Sequence, residues 1–108
     1  MTETVEDITI SYTENGIELI KELDKQVLTK GAWTTIMFKY LEFKKEGGYG
    51  PEKISIRRYQ KRNGEYKKQS HFNISSEKRA KMIIESINQL MFGGKGEVAS
   101  LDDDELAE

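Results

Sequence analysis

Residues 53–92, KISIRRYQKRNGEYKKQSHFNISSEKRAKMIIESINQLMF, decide the fold. Polar and apolar side chains alternate from Lys53 to Lys61, and a second run of this kind extends from Tyr66 to Ile74. Alternation with a period of two predicts β-strands. Asn63-Gly64 between the two runs predicts a tight turn, because both residues tolerate positive φ. The stretch therefore predicts an antiparallel hairpin.

The alternation assigns the side chains of this hairpin to a dry face and a wet face. The dry face would carry the apolar residues Ile54, Ile56, Phe72 and Ile74. The wet face would carry the polar and basic residues Ser55, Arg57, Tyr59, Lys61, Lys67, Gln69, His71 and Asn73. We expect the first surface to face the core and the second to face solvent or a ligand.

A helix is predicted immediately after the hairpin. Ser75 or Ser76 can cap its first turn, and Glu77 suits the positive end of the helix dipole. Apolar residues then recur at helical spacing at Ala80, Ile83, Ile84, Ile87, Leu90 and Met91. Gly93-Gly94 ends the helix. We expect this apolar stripe to cover the dry face of the sheet.

Residues upstream of the hairpin predict further strands. The segment from Ala32 to Lys44, after Gly31, is rich in β-branched and aromatic residues. It is followed by a predicted loop of three glycines and a proline, Gly47-Gly48-Tyr49-Gly50-Pro51. Residues 17–28 fit either a strand or a helical face, and we favour the strand. The run from Ile8 to Tyr12, followed by Asn15-Gly16, predicts an N-terminal hairpin strand.

These elements predict one α+β domain over residues 17–92. Its twisted antiparallel sheet would have four strands followed by the C-terminal helix, in the order β-β-β-β-α. Residues 1–16 would form an N-terminal extension, and residues 93–108, too polar to pack, would form a flexible acidic tail. A sheet this short with one helix leaves apolar surface uncovered. We therefore expect a homodimer, with contacts from Met82, Met91 and Phe92.

Charge is distributed unevenly along the chain. Residues 1–29 hold seven acidic and two basic residues, and residues 93–108 hold six acidic and one basic residue. Residues 30–92 hold fourteen basic and six acidic residues, which gives this middle segment a net charge of +8. A basic body between acidic ends is typical of proteins that bind polyanions.

Composition argues against several classes of protein. The chain has no cysteine, a single histidine (His71) and no Gly-rich phosphate loop, so we expect neither an enzyme nor a cofactor. The run Asp102-Asp103-Asp104-Glu105 lacks the ligand spacing of a calcium loop, and we expect no metal site. No apolar run is long enough for a signal peptide or a membrane span. We expect a cytoplasmic protein, associated with the nucleoid if it is bacterial.

Basic and aromatic residues concentrate on the hairpin and on the strand before it. Binders of single strands need both types, because cations follow the phosphates and aromatic rings stack on unpaired bases. The candidate nucleic-acid-binding residues are Trp33, Lys39, Phe43, Lys53, Arg57, Arg58, Tyr59, Lys61, Arg62, Tyr66, Lys67, Lys68 and His71. We therefore predict non-enzymatic, largely sequence-independent binding of single-stranded DNA, or of RNA.

The order of several short motifs resembles a known family. The motifs are Lys30-Gly31 with Trp33, Ile56-Arg57 with Tyr59, Asn63-Gly64-Glu65-Tyr66-Lys67, and Ile74-Ser75-Ser76-Glu77. In this order, residues 17–92 resemble the transcriptional coactivator family called positive cofactor four, and its bacterial branch in particular.

This resemblance implies a dimer that binds single-stranded DNA on a curved β-sheet and supports transcription, replication or repair. Carried over residue by residue, it implicates Arg57, Tyr59, Lys67 and Phe43. The chain departs from the family at Arg58, where an acidic or small residue is common. It also departs at Gln69, Ser70 and His71, which stand where the family has glycines.

The residues alone are also compatible with other functions. A protein–protein interaction module would dock an acidic partner on the same basic face. The acidic tail, through Leu101 and Leu106, would itself suit a protein partner. A binder of duplex or structured RNA would use the same cations without base stacking. Salt dependence, and preference for single strands over duplex or heparin, would distinguish these functions.

Overall fold

The computed structural model describes residues 4–93 of the 108-residue chain. Its strands are β1 (Tyr12–Glu14), β2 (Ile17–Thr29), β3 (Trp33–Lys44), β4 (Gly48–Tyr49), β5 (Lys53–Arg62) and β6 (Glu65–Ile74), and the helix α1 (Glu77–Phe92) follows them. They form a curled antiparallel sheet in the order β1-β2-β3-β5-β6, with β4 paired to the end of β3. The α+β class is therefore confirmed. Two short strands join the four long ones, and the predicted acidic tail lies outside the described residues.

Both Asn-Gly pairs form the predicted tight turns. Asn15 and Gly16 have φ of 53° and 79°, and Asn63 and Gly64 have φ of 52° and 80°. Two consecutive positive φ angles match the right-handed twist of the flanking strands. The preference for a strand over residues 17–28 is confirmed by β2. The predicted loop from Gly47 to Pro51 is wrong in part, because β4 lies within it.

The two faces of the sheet are exchanged relative to the prediction. Alternate residues of β3 lie against alternate residues of β5, and this surface, the inner face, carries Thr34, Ile36, Phe38, Tyr40, Lys53, Ser55, Arg57 and Tyr59. Ser55 and Tyr59 are buried there, although the alternation placed them on the wet side. The opposite surface, the outer face, carries Ile54, Ile56, Phe72 and Ile74; Phe72 is 55% exposed, and of these four only Ile74 is buried as predicted.

The inner face is buried because the N-terminal residues cover it. Residues 4–11, which we call the N-terminal strap, begin with a short 3₁₀ turn and include no strand. Val5, Ile8 and Ile10 of the strap pack with the inner face in one buried cluster. The predicted strand from Ile8 to Tyr12 is therefore wrong except at Tyr12, the first residue of β1. The apolar residues of this strand-like pattern therefore cover the core as part of an irregular segment.

A bulge in β6 exchanges the faces of two lysines. The register shifts where Arg58 pairs with Ser70 and Tyr59 pairs with Lys68, so one extra residue, Gln69, lies between them. Lys68 therefore lies on the inner face with Tyr59, and Lys67 lies on the outer face. The predicted placement of Lys67 beside His71 is wrong, because strict alternation does not hold across a bulge.

Helix α1 has the predicted ends but not the predicted packing. The Ser76 hydroxyl accepts a hydrogen bond from the Arg79 amide at 3.2 Å, and Gly93 ends the helix with φ of 66°. No residue of α1 is buried, and Leu90 is 85% exposed. The prediction that the helix covers the sheet is therefore wrong. The strap already fills the inner face, and only the start of the helix, at Ala80, lines a recess with Ile54 and Ile74 of the outer face.

The stability of the core should depend on buried residues of β3 more than on exposed residues at the start of β2. Ile36 is fully buried, whereas Ile17 at the start of β2 is 43% exposed. We expect Ile36→Ala to lower the free energy of unfolding by about 2–5 kcal/mol, because it removes buried methyl groups and leaves a cavity. The same substitution at Ile17 should cost less than about 1 kcal/mol. Urea denaturation of both variants measures the difference, and equal losses would contradict the described core.

Candidate nucleic-acid interface

The open part of the inner face lies on β5 and β6 and is basic. Arg57 pairs with His71, Tyr59 with Lys68, and Lys61 with Tyr66, so all these side chains share one face. We call Arg57, Lys61 and Lys68 the inner cation patch, and His71 lies beside it. None of the salt bridges found in residues 4–93 involves a member of this patch. An anion could therefore approach these groups without breaking an ion pair.

A polar recess of about 260 Å³ opens beside the patch. Its lining includes Ile10 of the strap, Tyr40 of β3, Arg57 of β5 and Asn73 of β6. Arg57 Nε donates to Ser55 Oγ at 3.3 Å, and Ser55 Oγ donates to Asn73 Oδ1 at 2.6 Å. These bonds fix the guanidinium at the floor of the recess. Its remaining N–H groups suit a planar or tetrahedral oxyanion.

Lys68 of the patch and Lys53, which lines the recess, have different environments. Burial, and then the charge of Arg57, lower the pKa of Lys68 below its usual value. Lys53 instead forms an ion pair with Glu42, with 2.9 Å between Nζ and Oε1. The inner cation patch therefore contains neighbouring positive charges that repel one another, and a bound anion would relieve that repulsion.

The tyrosines of the inner face take different positions. The Tyr59 ring is only 6% exposed and belongs to the buried cluster, and this burial raises the pKa of Tyr59, although Arg57 opposes the shift. Tyr66 is half-buried, donates its hydroxyl to the Gly31 carbonyl at 3.2 Å, and has Lys61 Nζ 5.5 Å from its ring centroid. Tyr66, part of which packs against the buried cluster, is therefore the more accessible of the two rings, and Tyr59 lies beneath the strap.

The remaining predicted site residues lie on the outer face or at its ends. Arg58 stacks on Trp33, with its guanidinium carbon 4.5 Å from the ring centroid, and Arg62 donates to Gln60. Lys39 lies 3.4 Å from Glu52, and Phe43 meets Tyr49 of β4 edge to face, whereas the Lys67 side chain makes no contact of this kind within residues 4–93. The structure thus divides the thirteen predicted residues between two faces. It brings together Lys53, Arg57, Tyr59, Lys61, Tyr66, Lys68 and His71 on the inner face.

Sequence reasoning missed Ser55 and Asn73 as residues that orient Arg57, and missed Lys25 altogether. Lys25 lies on the inner face of β2, where its ammonium donates to carbonyl groups of the strap. The ambiguous pattern of residues 17–28 contained no signal for this position. The Ser55–Asn73 pair could not have been found from the Asn63-Gly64 turn, because the register without a bulge places Ser55 opposite Phe72.

Comparisons of the chain with models of protein families, with curated proteins and with solved structures found no match. The resemblance to positive cofactor four therefore stays a prediction. Within residues 4–93, no three acidic or histidine side chains converge to hold a metal ion. The helix found in the same residues is too short and too polar to cross a membrane.

Burial of Tyr59 predicts a loss of stability in alkali. The pKa of Tyr59 is raised in the folded protein, so above pH 10 the unfolded chain loses this proton first. Fewer protons bound in the unfolded state means that stability falls as the pH rises from about 10 towards the folded pKa. Tyr59→Phe should lessen this fall, whereas Tyr12→Phe, at an exposed position, should not. Urea denaturation between pH 8 and pH 11 measures both, and equal pH profiles for Tyr59→Phe and wild type would place the hydroxyl in solvent.

Proposed function

We propose that the protein binds single-stranded DNA, with RNA as a second ligand, on the inner cation patch and without catalysis. Binding would be largely independent of sequence and would support transcription, replication or repair. The observation that carries this proposal is the set Arg57, Lys61 and Lys68 on two paired strands, with His71 beside them, none of them in a salt bridge of the described residues. Phosphate contacts of this kind supply affinity without sequence information.

Two features favour an unpaired strand over a duplex. Lys61 Nζ lies over the Tyr66 ring, so a base that took its place on the ring would bring a phosphate close to this cation. The patch also borders a recess on a curled sheet, and the concavity suits one flexible backbone. A docked acidic protein would use the same cations, but it would not need an aromatic ring beside them.

Paired variants on opposite faces test the location of binding. Arg57→Gln with Lys68→Gln removes two inner-face cations, and Arg58→Gln with Lys67→Gln removes two outer-face cations from neighbouring positions. We expect the first variant to reduce the salt slope for an oligo-dT probe by about 1.4, because each single-strand phosphate contact contributes about 0.7. Its affinity at about 0.1 M salt should fall on the order of 10-fold or more. Fluorescence anisotropy across salt concentrations measures both quantities.

The outer-face variant is the matched control, since it loses the same charge. A larger loss in that variant would place the nucleic acid on the outer face. Affinity of the wild type that is insensitive to salt would contradict electrostatic binding altogether. Heparin that binds as tightly as oligo-dT would favour an acidic protein partner, and duplex DNA that binds more tightly would contradict the preference for single strands.

We also propose that the protein forms a homodimer through α1 and the outer face. Ile84, Ile87 and Leu90 of the apolar stripe are each at least half exposed, and so is Phe72 on the outer face. The radius of gyration is 16.0 Å, against roughly 13 Å for a compact chain of about 100 residues. A second copy would bring an identical helix and sheet face, which is how a two-fold interface covers its own apolar surface.

A charge placed in the stripe should separate the two copies. We expect the wild type to have twice the 12.5 kDa mass of one chain by light scattering. Ile87→Glu should shift it to the mass of one chain, because the interface would bury a carboxylate. Gln89→Glu, on the opposite side of α1, adds the same charge and should leave the dimer intact. A wild type with the mass of one chain at micromolar concentration would contradict the proposed dimer.

A further inference from the structure

The N-terminal strap is attached to the inner face by side chains rather than by a strand ladder. Lys25 Nζ donates to the carbonyl oxygens of Val5, Glu6 and Ile8 at 3.4, 2.9 and 2.6 Å. Glu22 Oε1 accepts hydrogen bonds from the Thr9 hydroxyl at 2.7 Å and from the Ile10 amide at 3.3 Å. No residue from Val5 to Ser11 is in a strand. Departure of the strap would therefore break no hydrogen bond between strands, although it would uncover the apolar cluster.

The strap borders the inner cation patch and covers the aromatic rings that lie beside it. Ile10 lines the same recess as Arg57 and Asn73. Beneath the strap, Val5, Ile8 and Ile10 pack in one cluster with the rings of Phe38, Tyr40 and Tyr59. Departure of the strap would join these rings to the open patch as one continuous surface. That surface would combine cations with stacking platforms, as single-strand sites do.

The strap presents to two lysines the kind of oxygen atoms that a phosphate would present. Lys25 is surrounded by three carbonyl oxygens, and Lys30 Nζ lies 3.4 Å from the Glu6 carboxylate. A backbone hydrogen bond, and then Lys30, lower the pKa of Glu6, so this carboxylate is charged at neutral pH. Asp7 adds a second acidic residue to the strap. The strap is thus an acidic segment on a basic body.

We propose that the strap is a displaceable cover of the nucleic-acid site, and that a single strand binds fully only after the strap has left the inner face. In the bound state Lys25 and Lys30 exchange strap oxygens for phosphate oxygens, and Tyr40 and Tyr59 become accessible to bases. This inference rests on the proposed function and adds its regulation. The apparent affinity of the closed protein is then reduced by the fraction of molecules whose strap is open.

A variant with a weakened strap and unchanged charge tests the cover. Thr9→Val removes the bond to Glu22, and Ser11→Ala removes the acceptor of the Glu22 amide, which lies 3.0 Å away. Each lost hydrogen bond shifts the opening equilibrium by roughly fivefold. We expect the double variant to bind oligo-dT about 5- to 30-fold more tightly than wild type. Thr13→Val, on exposed β1 outside the strap, is the matched control and should not change the affinity.

Hydrogen exchange of the wild-type full chain gives a second measurement that requires no variant. The Ile10 amide donates to the Glu22 carboxylate of β2, so its exchange reports contact between the strap and the sheet, whereas the amides of Asp7 and Ile8 donate within the strap. We expect saturating oligo-dT to speed the exchange of the Ile10 amide, while amides of β3 stay protected. If urea denaturation shows that the double variant does not fold, hydrogen exchange of the wild type tests the proposal by itself.

The outcomes separate this inference from the proposed function. The cover is overturned if variant and wild type bind oligo-dT tightly and with equal affinity, and if the exchange of the Ile10 amide is unchanged or slower. That result leaves the proposed function standing. No binding of oligo-dT by either protein overturns the proposed function, and the cover with it. Tighter binding by the variant together with faster exchange of the Ile10 amide in the wild-type complex supports both.

Discussion

The burial of Ile36 and Phe38 on the inner face of β3 is the constraint on which the rest of the structure depends. A curled sheet with apolar side chains on one surface must cover that surface, and in the free protein the segment that does so is not the helix but the strap, whose place stacked bases would take in the proposed complex. The strap has no strand partner for its carbonyl groups, and buried carbonyls require donors. Lys25 supplies them, so one ammonium group makes an irregular cover compatible with a buried core.

The position of the strap explains the two surfaces that stay open. It covers β3 and the adjoining parts of β2 and β5, so the inner face is accessible on β5 and β6, where the cations lie. With the inner face already covered, α1 meets the outer face at its start, near Ala80, and most of its apolar stripe stays exposed. Under our proposals nucleic acid and a second copy use opposite faces, so the two would bind without competition.

Features encoded by a few neighbouring residues could be predicted from the sequence. The two Asn-Gly turns, the Ser76 cap and the alternation of β5 depend on local backbone preferences, and the structure confirms them. Alternation also separates two sets of side chains, but it does not say which set is buried. That choice was made by Val5, Ile8 and Ile10, which lie more than 25 residues away from β5 in the sequence. Likewise, the extra residue Gln69 in β6 has no signature in the sequence, so Lys67 was assigned to the wrong face.

The doublets Arg57-Arg58 and Lys67-Lys68 give the sheet an unusual tolerance to sequence change. Neighbouring residues of a strand point to opposite faces, so a doublet of like charges places one cation on each face in either register. The bulge in β6 decides which lysine lies beside Arg57, but not whether one does. Insertions and deletions of single residues near such a bulge would therefore preserve the charge of both surfaces. In an evolving lineage, the electrostatic character of this sheet would survive changes in length that abolish most side-chain contacts.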